Sequence, residues 1–218
     1  MTRVILATFL LAFTSNAISQ AITVTNTFVD GQTASAAEVN QNFNDVVTGV
    51  NAIVRKDDTL FNTATGAFAI NPNLTTTGNF NTANGYDALY NNGSGSNNTA
   101  VGYQALRANT VGMSNIASGY QALFSNTSGS ANTASGYLAL FNNTEGGLNT
   151  ASGSRALFSN TTGDQNTASG NQALSDNTTG DLNTAIGGSA LSKNTEGTQN
   201  TASGFSALYK NTTGNNNT

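Results

Sequence analysis

Few side chains in this sequence could carry out chemistry. Histidine and cysteine are both absent, which removes the commonest general base and the commonest metal ligands. Serine and threonine are abundant, but without a plausible neighbouring base they cannot form a hydrolase triad. The 11 acidic residues are mostly isolated from one another. We therefore expect no catalytic site and no cofactor, and the chain is predicted not to be an enzyme.

Two pairs of carboxylates could be considered as metal sites. Asp57 and Asp58 are adjacent, and a solvated linker explains them. Asp164 and Asp181 share one position of an internal 17-residue repeat, so they could stack about 5 Å apart and attract a cation. A calcium-binding β-roll would need aspartate at a fixed place in a G-G-x-G-x-D pattern, which is absent. We expect no metal site.

Aromatic residues recur at two positions of the repeat when Asn81 is counted as position 1. Position 6 holds Tyr86, Tyr103, Tyr120, Tyr137 and Phe205, and position 10 holds Tyr90, Phe124, Phe141, Phe158 and Tyr209. These rings could pack between chains or against their own coil. If the four position-6 tyrosines are exposed, they form a ladder about 15 Å long that could stack on sugars or lipid-like ligands.

These positions belong to eight units of 17 residues that follow one another without an insertion. The units read N-T-A-x-G-x-x-A-L-x-x-N-T-x-G-x-x, with two departures: Ile116 replaces one Thr and Gly93 another. Residues 62–80 form an atypical first unit with a two-residue insertion near Pro72, which we interpret as a capping rung. Asn217 and Thr218 begin a ninth unit, so the sequence is expected to be either a fragment or a stack without a cap.

The length of the unit predicts the fold class. A helical hairpin repeat needs about 33 to 47 residues, and the glycines and asparagines of each unit disfavour helix. We predict an all-β chain that forms a parallel β-solenoid, or β-roll, with two short strands and two turns in each 17-residue coil. Asparagine columns could hydrogen-bond from rung to rung, and nine rungs would give a rod of about 40 Å.

The core of this solenoid is expected to be thin. Alternation within the strand could turn inward either the invariant alanine of position 3 or the variable position 4, and we favour the alanine. The invariant leucine of position 9 is predicted to fill the core: Leu89, Leu106, Leu123, Leu140, Leu157, Leu174, Leu191 and Leu208. Because one leucine per rung offsets little of the ordering entropy, we expect a homotrimer whose chains share a buried face.

Residues 1–21 have the pattern of a secretory signal peptide. Arg3 precedes an apolar run at residues 4–13, and Ser19 and Ala21 offer cleavage sites. The alternative is a membrane anchor, but the run is shorter than the roughly 20 residues that span a bilayer. The mature protein is expected to be secreted or to reach the cell surface, with no membrane-spanning segment.

Residues 22–60 are predicted to form a short strand, a helix and a linker. The strand would lie within residues 22–34, and the linker at residues 55–58. Ser35 and Glu38 have the spacing of a capping box that starts a helix. Heptad spacing in that helix predicts a coiled-coil seam that joins the trimer, although an amphipathic helix on the chain's own core is the alternative. The seam residues are Val39, Phe43, Val46, Val50 and Ile53.

The repeats resemble two groups of bacterial proteins. Asn183-Thr184-Ala185-Ile186-Gly187 is similar to the head repeats of trimeric autotransporter adhesins, which form trimeric parallel β-rolls with units of about 14 residues. The N-T-A-x-G-x-x-A-L-x-x-N-T-T-G array of residues 62–218 more closely resembles tail-fibre-domain proteins that often end in an endosialidase-type chaperone. The resemblance implies a trimeric, surface-exposed fibre, and this sequence lacks the chaperone and the anchor segments.

Three functions are consistent with these observations. The first is an adhesive or structural stalk on a bacterial or phage surface, with an unknown receptor or glycan as its partner. The second is a monomeric solenoid that binds ice or another surface through its threonine ranks. The third is the stalk of a longer protein with a C-terminal chaperone or enzymatic domain. With a net charge of −4 and seven scattered Lys and Arg residues, nucleic acid is an unexpected partner.

Overall fold

A computed structural model describes residues 61–71 and 77–218 with their side chains, together with the backbone of three further strands. Two of those strands lie in a first compact unit, residues 1–51. There β1 (Leu6–Phe9) pairs antiparallel with β2 (Val24–Thr27). β2 falls in the segment predicted to hold a short strand. β1 lies within the predicted signal segment, so a chain cleaved after Ser19 or Ala21 would lack it.

The second unit, residues 52–218, is built on one sheet of ten strands in sequence order. β3 (Arg55–Asp57) is antiparallel to β4 (Asn62–Thr65), and every later strand is parallel to its neighbours. The later strands are β5 (Thr82–Asn84), β6 (Thr99–Val101), β7 (Ile116–Ser118), β8 (Thr133–Ser135), β9 (Thr150–Ser152), β10 (Thr167–Ser169), β11 (Thr184–Ile186) and β12 (Thr201–Ser203).

The register of this sheet follows the repeat, since each residue pairs with the residue 17 positions later from β5 to β12. The described residues contain no helix. The prediction of an all-β parallel solenoid with 17-residue coils is therefore confirmed. The helix predicted from Ser35 lies outside the described residues.

Each regular coil contains one strand of three residues, not two strands. Residues 120–125 of the third unit form a turn, and the second asparagine-threonine segment that follows is bent and is not a strand. Rung-to-rung bonding nevertheless continues beyond the strand, for example from Leu123 N to Ala139 O at 3.0 Å and from Thr127 N to Thr144 O at 2.9 Å. The backbone of the turns is thus paired along the axis without extended geometry, which is why the predicted second strand was wrong.

The alanine of position 3 points inward, as favoured from the sequence. Ala117 has no exposed surface, whereas its neighbours Ile116 and Ser118 are exposed. The alanine of position 8 and the leucine of position 9 complete the core, and the seven leucines from Leu89 to Leu191 have no exposed surface. Leu208, in the last full rung, is partly buried against this core. One chain alone buries these columns, so this part of the molecule needs no second chain to cover them.

The turns depend on left-handed residues that are not glycine. Positions 7, 9 and 17 adopt positive φ in every regular rung, as in Gln121 (50°), Leu123 (53°) and Ala131 (57°). In the regular units, the glycines with positive φ lie only at position 5. A β-branched side chain is strongly disfavoured at positive φ. In agreement with this, no Val, Ile or Thr occupies positions 7, 9 or 17 of the eight regular units.

Two columns of buried asparagine run the length of the solenoid. At position 12, the Asn126 side-chain amide donates to Asn109 Oδ1 and to Gly129 O, both at 2.9 Å. At position 1, Asn132 donates from its backbone N–H to Asn115 Oδ1 at 3.0 Å, and from Nδ2 to the position-15 carbonyl of Gly146 at 2.8 Å. The rung-to-rung asparagine ladders predicted from the sequence are confirmed, and each ladder also fixes a turn.

The N-terminal edge of the parallel sheet is covered by a charged strand. Residues 55–58 were predicted to be a linker, but Arg55, Lys56 and Asp57 form β3 and pair with Ala64, Thr63 and Asn62 of the first rung. A charged strand on a sheet edge discourages further strand addition. The first rung is thus capped by a strand outside the repeat, in addition to being atypical itself.

Candidate binding surfaces on the solenoid

The four position-6 tyrosines form one continuous stack on the surface. Their ring centroids lie 5.5, 5.2 and 5.4 Å apart from Tyr86 to Tyr137, with interplanar angles of 10°, 10° and 20°. Each tyrosine is about half exposed, between 43% and 50%. The tyrosine ladder proposed from the sequence therefore exists in the single chain and is accessible there.

The stacking limits what this tyrosine ladder can bind. Tyr103 and Tyr120 have both faces covered by neighbouring rings, and Phe68 packs its edge against Tyr86 with centroids 5.8 Å apart. A sugar that stacks on an aromatic ring needs an open ring face. The inner tyrosines offer ring edges and hydroxyl groups instead. The ladder is thus suited to a ligand that accepts hydrogen bonds along a line, and poorly suited to face-on stacking.

Position 10 forms a second stack in which an arginine takes the place of one ring. Phe124, Phe141 and Phe158 stack with centroids 5.2 and 5.5 Å apart. Before them, the Arg107 guanidinium lies 5.3 Å from the Tyr90 ring centroid and 6.0 Å from that of Phe124. The five side chains therefore make a single column, and they are half-buried against their own coil. This packing was one of the two alternatives considered from the sequence.

Arg107 also neutralises a largely buried carboxylate. Its Nε donates to Asp87 Oδ2 at 3.1 Å, and the Asp87 side chain is only 10% exposed. Gln104 Nε2 donates to the same oxygen at 3.3 Å. The guanidinium thus links the aromatic column to Asp87 at position 7. The sequence did not predict this role, because a single arginine among aromatic residues is typical of a solvent-exposed substitution.

We predict that Arg107→Ala lowers the melting temperature more than Arg107→Phe does. The alanine removes both the stacking partner and the charge that pairs with Asp87, whereas phenylalanine restores the column and loses only the ion pair. Each cation–π contact contributes about 0.5–2 kcal/mol. Thermal unfolding followed by far-UV circular dichroism measures both variants. Equal losses in the two would show that the ion pair alone stabilises this region.

A second ion pair lies on the surface and should matter less. Lys193 Nζ donates to Asp176 Oδ2 at 2.8 Å. This hydrogen bond, together with the charge of Asp176, raises the pKa of Lys193. Whatever stability the pair provides is present below the unfolded pKa of lysine and is lost as the pH rises through the raised folded value. Since both side chains are exposed, solvent screens this contribution.

The two aspartates that share position 16 are used by the backbone. Asp181 Oδ1 accepts from the N–H of Asp164 at 2.7 Å, and Asp164 Oδ1 accepts from the N–H of Gly147 at 2.6 Å. Each carboxylate thus bonds to the preceding rung. Among the described residues, no group of three His, Cys, Asp or Glu side chains is arranged to hold a metal ion.

The remaining predicted residues are placed as follows. The trimer seam, Val39, Phe43, Val46, Val50 and Ile53, lies outside the described residues. Asn126 and Asn160 begin glycosylation-type sequons, but both are fully buried in the position-12 ladder. Across residues 61–71 and 77–218, no helix is long and apolar enough to cross a membrane.

The comparisons with known proteins give no independent identification. The chain matches no family model, no curated protein and no solved structure. Its function must therefore be argued from the surfaces of the solenoid itself. Those surfaces are the tyrosine ladder, the arginine-containing column and the outward face of the strands.

Proposed function

We propose that this protein is a non-enzymatic structural stalk or fibre, exported to a bacterial or phage surface and assembled as a homotrimer. The observation that carries the proposal is the unbroken rung geometry. Nine parallel strands follow one another in register from β4 to β12, and each is three or four residues long. A solenoid of this kind extends in one dimension as rungs are added, which suits a spacer.

The cohesion of the rungs supports a mechanical role. Adjacent rungs are joined by the strand ladder, by further backbone hydrogen bonds in the turns and by two buried asparagine ladders. All these bonds run along the axis. Pulling the ends apart would have to break several hydrogen bonds at one rung junction together, so the rod should resist extension.

Trimer formation depends on the segment before the solenoid. The core of the repeats is closed within one chain, as shown by the fully buried alanine and leucine columns. The heptad spacing of residues 39–53 therefore carries the proposal of three chains. The resemblance to adhesin heads and tail-fibre-domain proteins supports the same assembly, and the predicted signal peptide supports export.

The tyrosine ladder is the candidate adhesive surface of this stalk. Its hydroxyl groups form a line on the first half of the rod, and Ser154 follows Tyr137 at the same position of the next rung. A receptor or glycan rich in hydrogen-bond acceptors is the kind of partner that this line fits. Face-on stacking is available only beyond the terminal ring of Tyr137.

Light scattering on the secreted chain tests the assembly. We expect the mass of three chains. The double variant Val46→Asp, Val50→Asp should have the mass of one chain. Its far-UV spectrum should stay unchanged, because the seam lies outside the repeats.

N-terminal sequencing tests export. After export through a bacterial inner membrane, the sequence of the chain should begin at Gln20 or Ile22.

A matched control places the same change outside the seam. The double variant Thr48→Asp, Asn51→Asp alters residues of the same segment that are not in the heptad seam, and it should keep the trimer. A single-chain mass for the unmodified protein would rule out the trimeric stalk. A chain that retains residues 1–19 in the host cytoplasm would rule out export.

A further inference from the structure

The outward side of the strands forms a surface with an unusually regular composition. Positions 2 and 4 point outward on the side opposite the buried alanine of position 3, and we call this surface, from Thr63 to Ser203, the strand face. Position 2 is threonine in every rung except at Ile116. No residue of the strand face is charged, and none is aromatic.

The hydroxyl groups of the strand face have no bonding partner within the described residues. The contrast is with the threonines of position 13, whose hydroxyls donate to the next rung, as Thr127 does to Thr144 O at 3.0 Å and Thr161 to Thr178 O at 3.0 Å. No such bond involves Thr133, Thr150 or Thr167 on the strand face. The same residue type therefore stabilises the coil at position 13 and is free to bond outward at position 2.

Every rung keeps at least one hydroxyl on the strand face. Four residues of the face lack a hydroxyl, and each lies two residues from one that has it. The pairs are Asn84 with Thr82, Val101 with Thr99, Ile116 with Ser118, and Ile186 with Thr184. Three of these four residues are β-branched and aliphatic, so they place methyl groups on the face. Every rung from Thr63 to Ser203 thus presents a hydroxyl, which lies at position 4 instead of position 2 only in the rung of Ile116.

We propose that the strand face binds the surface of ice. Strands in register place identical groups about 4.7–4.9 Å apart along the axis, and positions 2 and 4 lie about 6.6 Å apart across it. Hydroxyl groups without an internal partner hold first-shell water through hydrogen bonds. Water above such an array takes up a repeating arrangement, which a growing crystal plane can incorporate. The methyl groups between the hydroxyls exclude water that is out of register.

The composition of the strand face argues against a polysaccharide as the occupant. Protein sites for sugars and other small polar ligands combine aromatic or apolar contacts with a few placed amides or charged groups. The strand face has no ring and no charge, and its one amide is that of Asn84. An uncharged lattice of water molecules is the partner that this surface complements.

Ice-affinity partitioning of the full chain tests the proposal. The unmodified, fluorescently labelled protein should enter a slowly growing ice hemisphere and should show thermal hysteresis. The double variant Thr150→Lys, Thr167→Lys places two long charged side chains in the middle of the strand face and should be excluded from the ice. The control Thr162→Lys, Thr179→Lys makes the same change at exposed position-14 residues and should partition like the unmodified protein.

The outcomes separate this inference from the others. Exclusion of the unmodified protein from ice would overturn it. It would also be overturned if both lysine variants lost partitioning into ice equally while their melting curves stayed unchanged. If only Thr150→Lys, Thr167→Lys has a lower molar mass, the strand face is an interface between copies. If crystalline cellulose pulls down the unmodified protein but not this variant, the strand face binds a polysaccharide. The stalk proposal would survive either result, since its test is the mass and export of the chain.

Discussion

Asn126→Asp should destabilise the solenoid by at least about 3 kcal/mol, and the loss should shrink as the pH falls. Asn126 is fully buried, and its amide donates to Asn109 Oδ1 and Gly129 O. Aspartate would replace the donor with a charged oxygen facing those two acceptors. No positive group lies in the ladder to pair with the charge, and burial would oppose ionisation.

The pH dependence identifies the cause. Burial raises the pKa of the new carboxyl in the folded state above its unfolded value, so the folded state binds the proton more tightly. Stability relative to the unmodified protein therefore rises on acidification through that folded pKa, because the protonated acid is neutral and regains one donor. Thermal unfolding at a series of pH values measures this, and a 3 kcal/mol loss corresponds to roughly 6–12 °C for a domain of this size.

Asn142→Asp provides the matched control. Asn142 lies one position before the ladder, is half-buried and takes no part in it. We expect its melting temperature to stay close to that of the unmodified protein at neutral pH. A loss in Asn142→Asp as large as that in Asn126→Asp would attribute the effect to the added negative charge. An Asn126→Asp variant with unchanged stability would show that the ladder contributes nothing.

The sequence predicted the parts of the fold that depend on repetition. The 17-residue spacing sets the register, because identical side chains must stack on one another for the core to be continuous. The invariant Ala117 and its equivalents identified the inward side, since a variable position 4 could not maintain a packed interior. The asparagine ladders followed from the same reasoning.

The parts that failed depend on backbone conformation. The predicted second strand is a turn, and positive φ occurs at Gln121, Leu123 and Ala131, where glycine is absent. A signal was present in the sequence: none of the β-branched residues that dislike this conformation occurs at positions 7, 9 or 17. The hydrophobicity of leucine at position 9 favours a strand. Only the absence of β-branched residues from positions 7, 9 and 17 could have predicted the turn.

The candidate surfaces were only partly predictable. The tyrosine columns could be read from the repeat, but their mutual stacking, which covers the ring faces of Tyr103 and Tyr120, depends on the side-chain orientation. Similarly, threonine recurs at positions 2 and 13, and the sequence does not distinguish them. Only the hydrogen bond of Thr127 to the next rung separates a structural column from a free one.

Gly136→Ala should destabilise the solenoid strongly, although it adds only one methyl group. Gly136 has a φ of 140°, which L-residues rarely adopt, and a Cβ at this position would lie 2.6 Å from Gly153 O and 2.7 Å from Gly153 C. The obstructing atoms are backbone of the next rung, which is itself bonded to the rung beyond. Strain of about 1–3 kcal/mol adds to the cost of separating two rungs. We expect a melting temperature lower by roughly 6 °C or more.

Gly188→Ala separates this effect from the general cost of replacing a glycine. Gly188 occupies position 6, where other rungs carry tyrosine, phenylalanine, serine or asparagine. The nearest atom to its added Cβ belongs to the Phe205 side chain, 3.3 Å away. This ring can shift, and the loss of chain entropy in the unfolded state favours alanine by about 0.4–1 kcal/mol. Its melting temperature should therefore be unchanged or higher. If Gly136→Ala and Gly188→Ala unfold at the same temperature, the rungs are not in close contact at position 5.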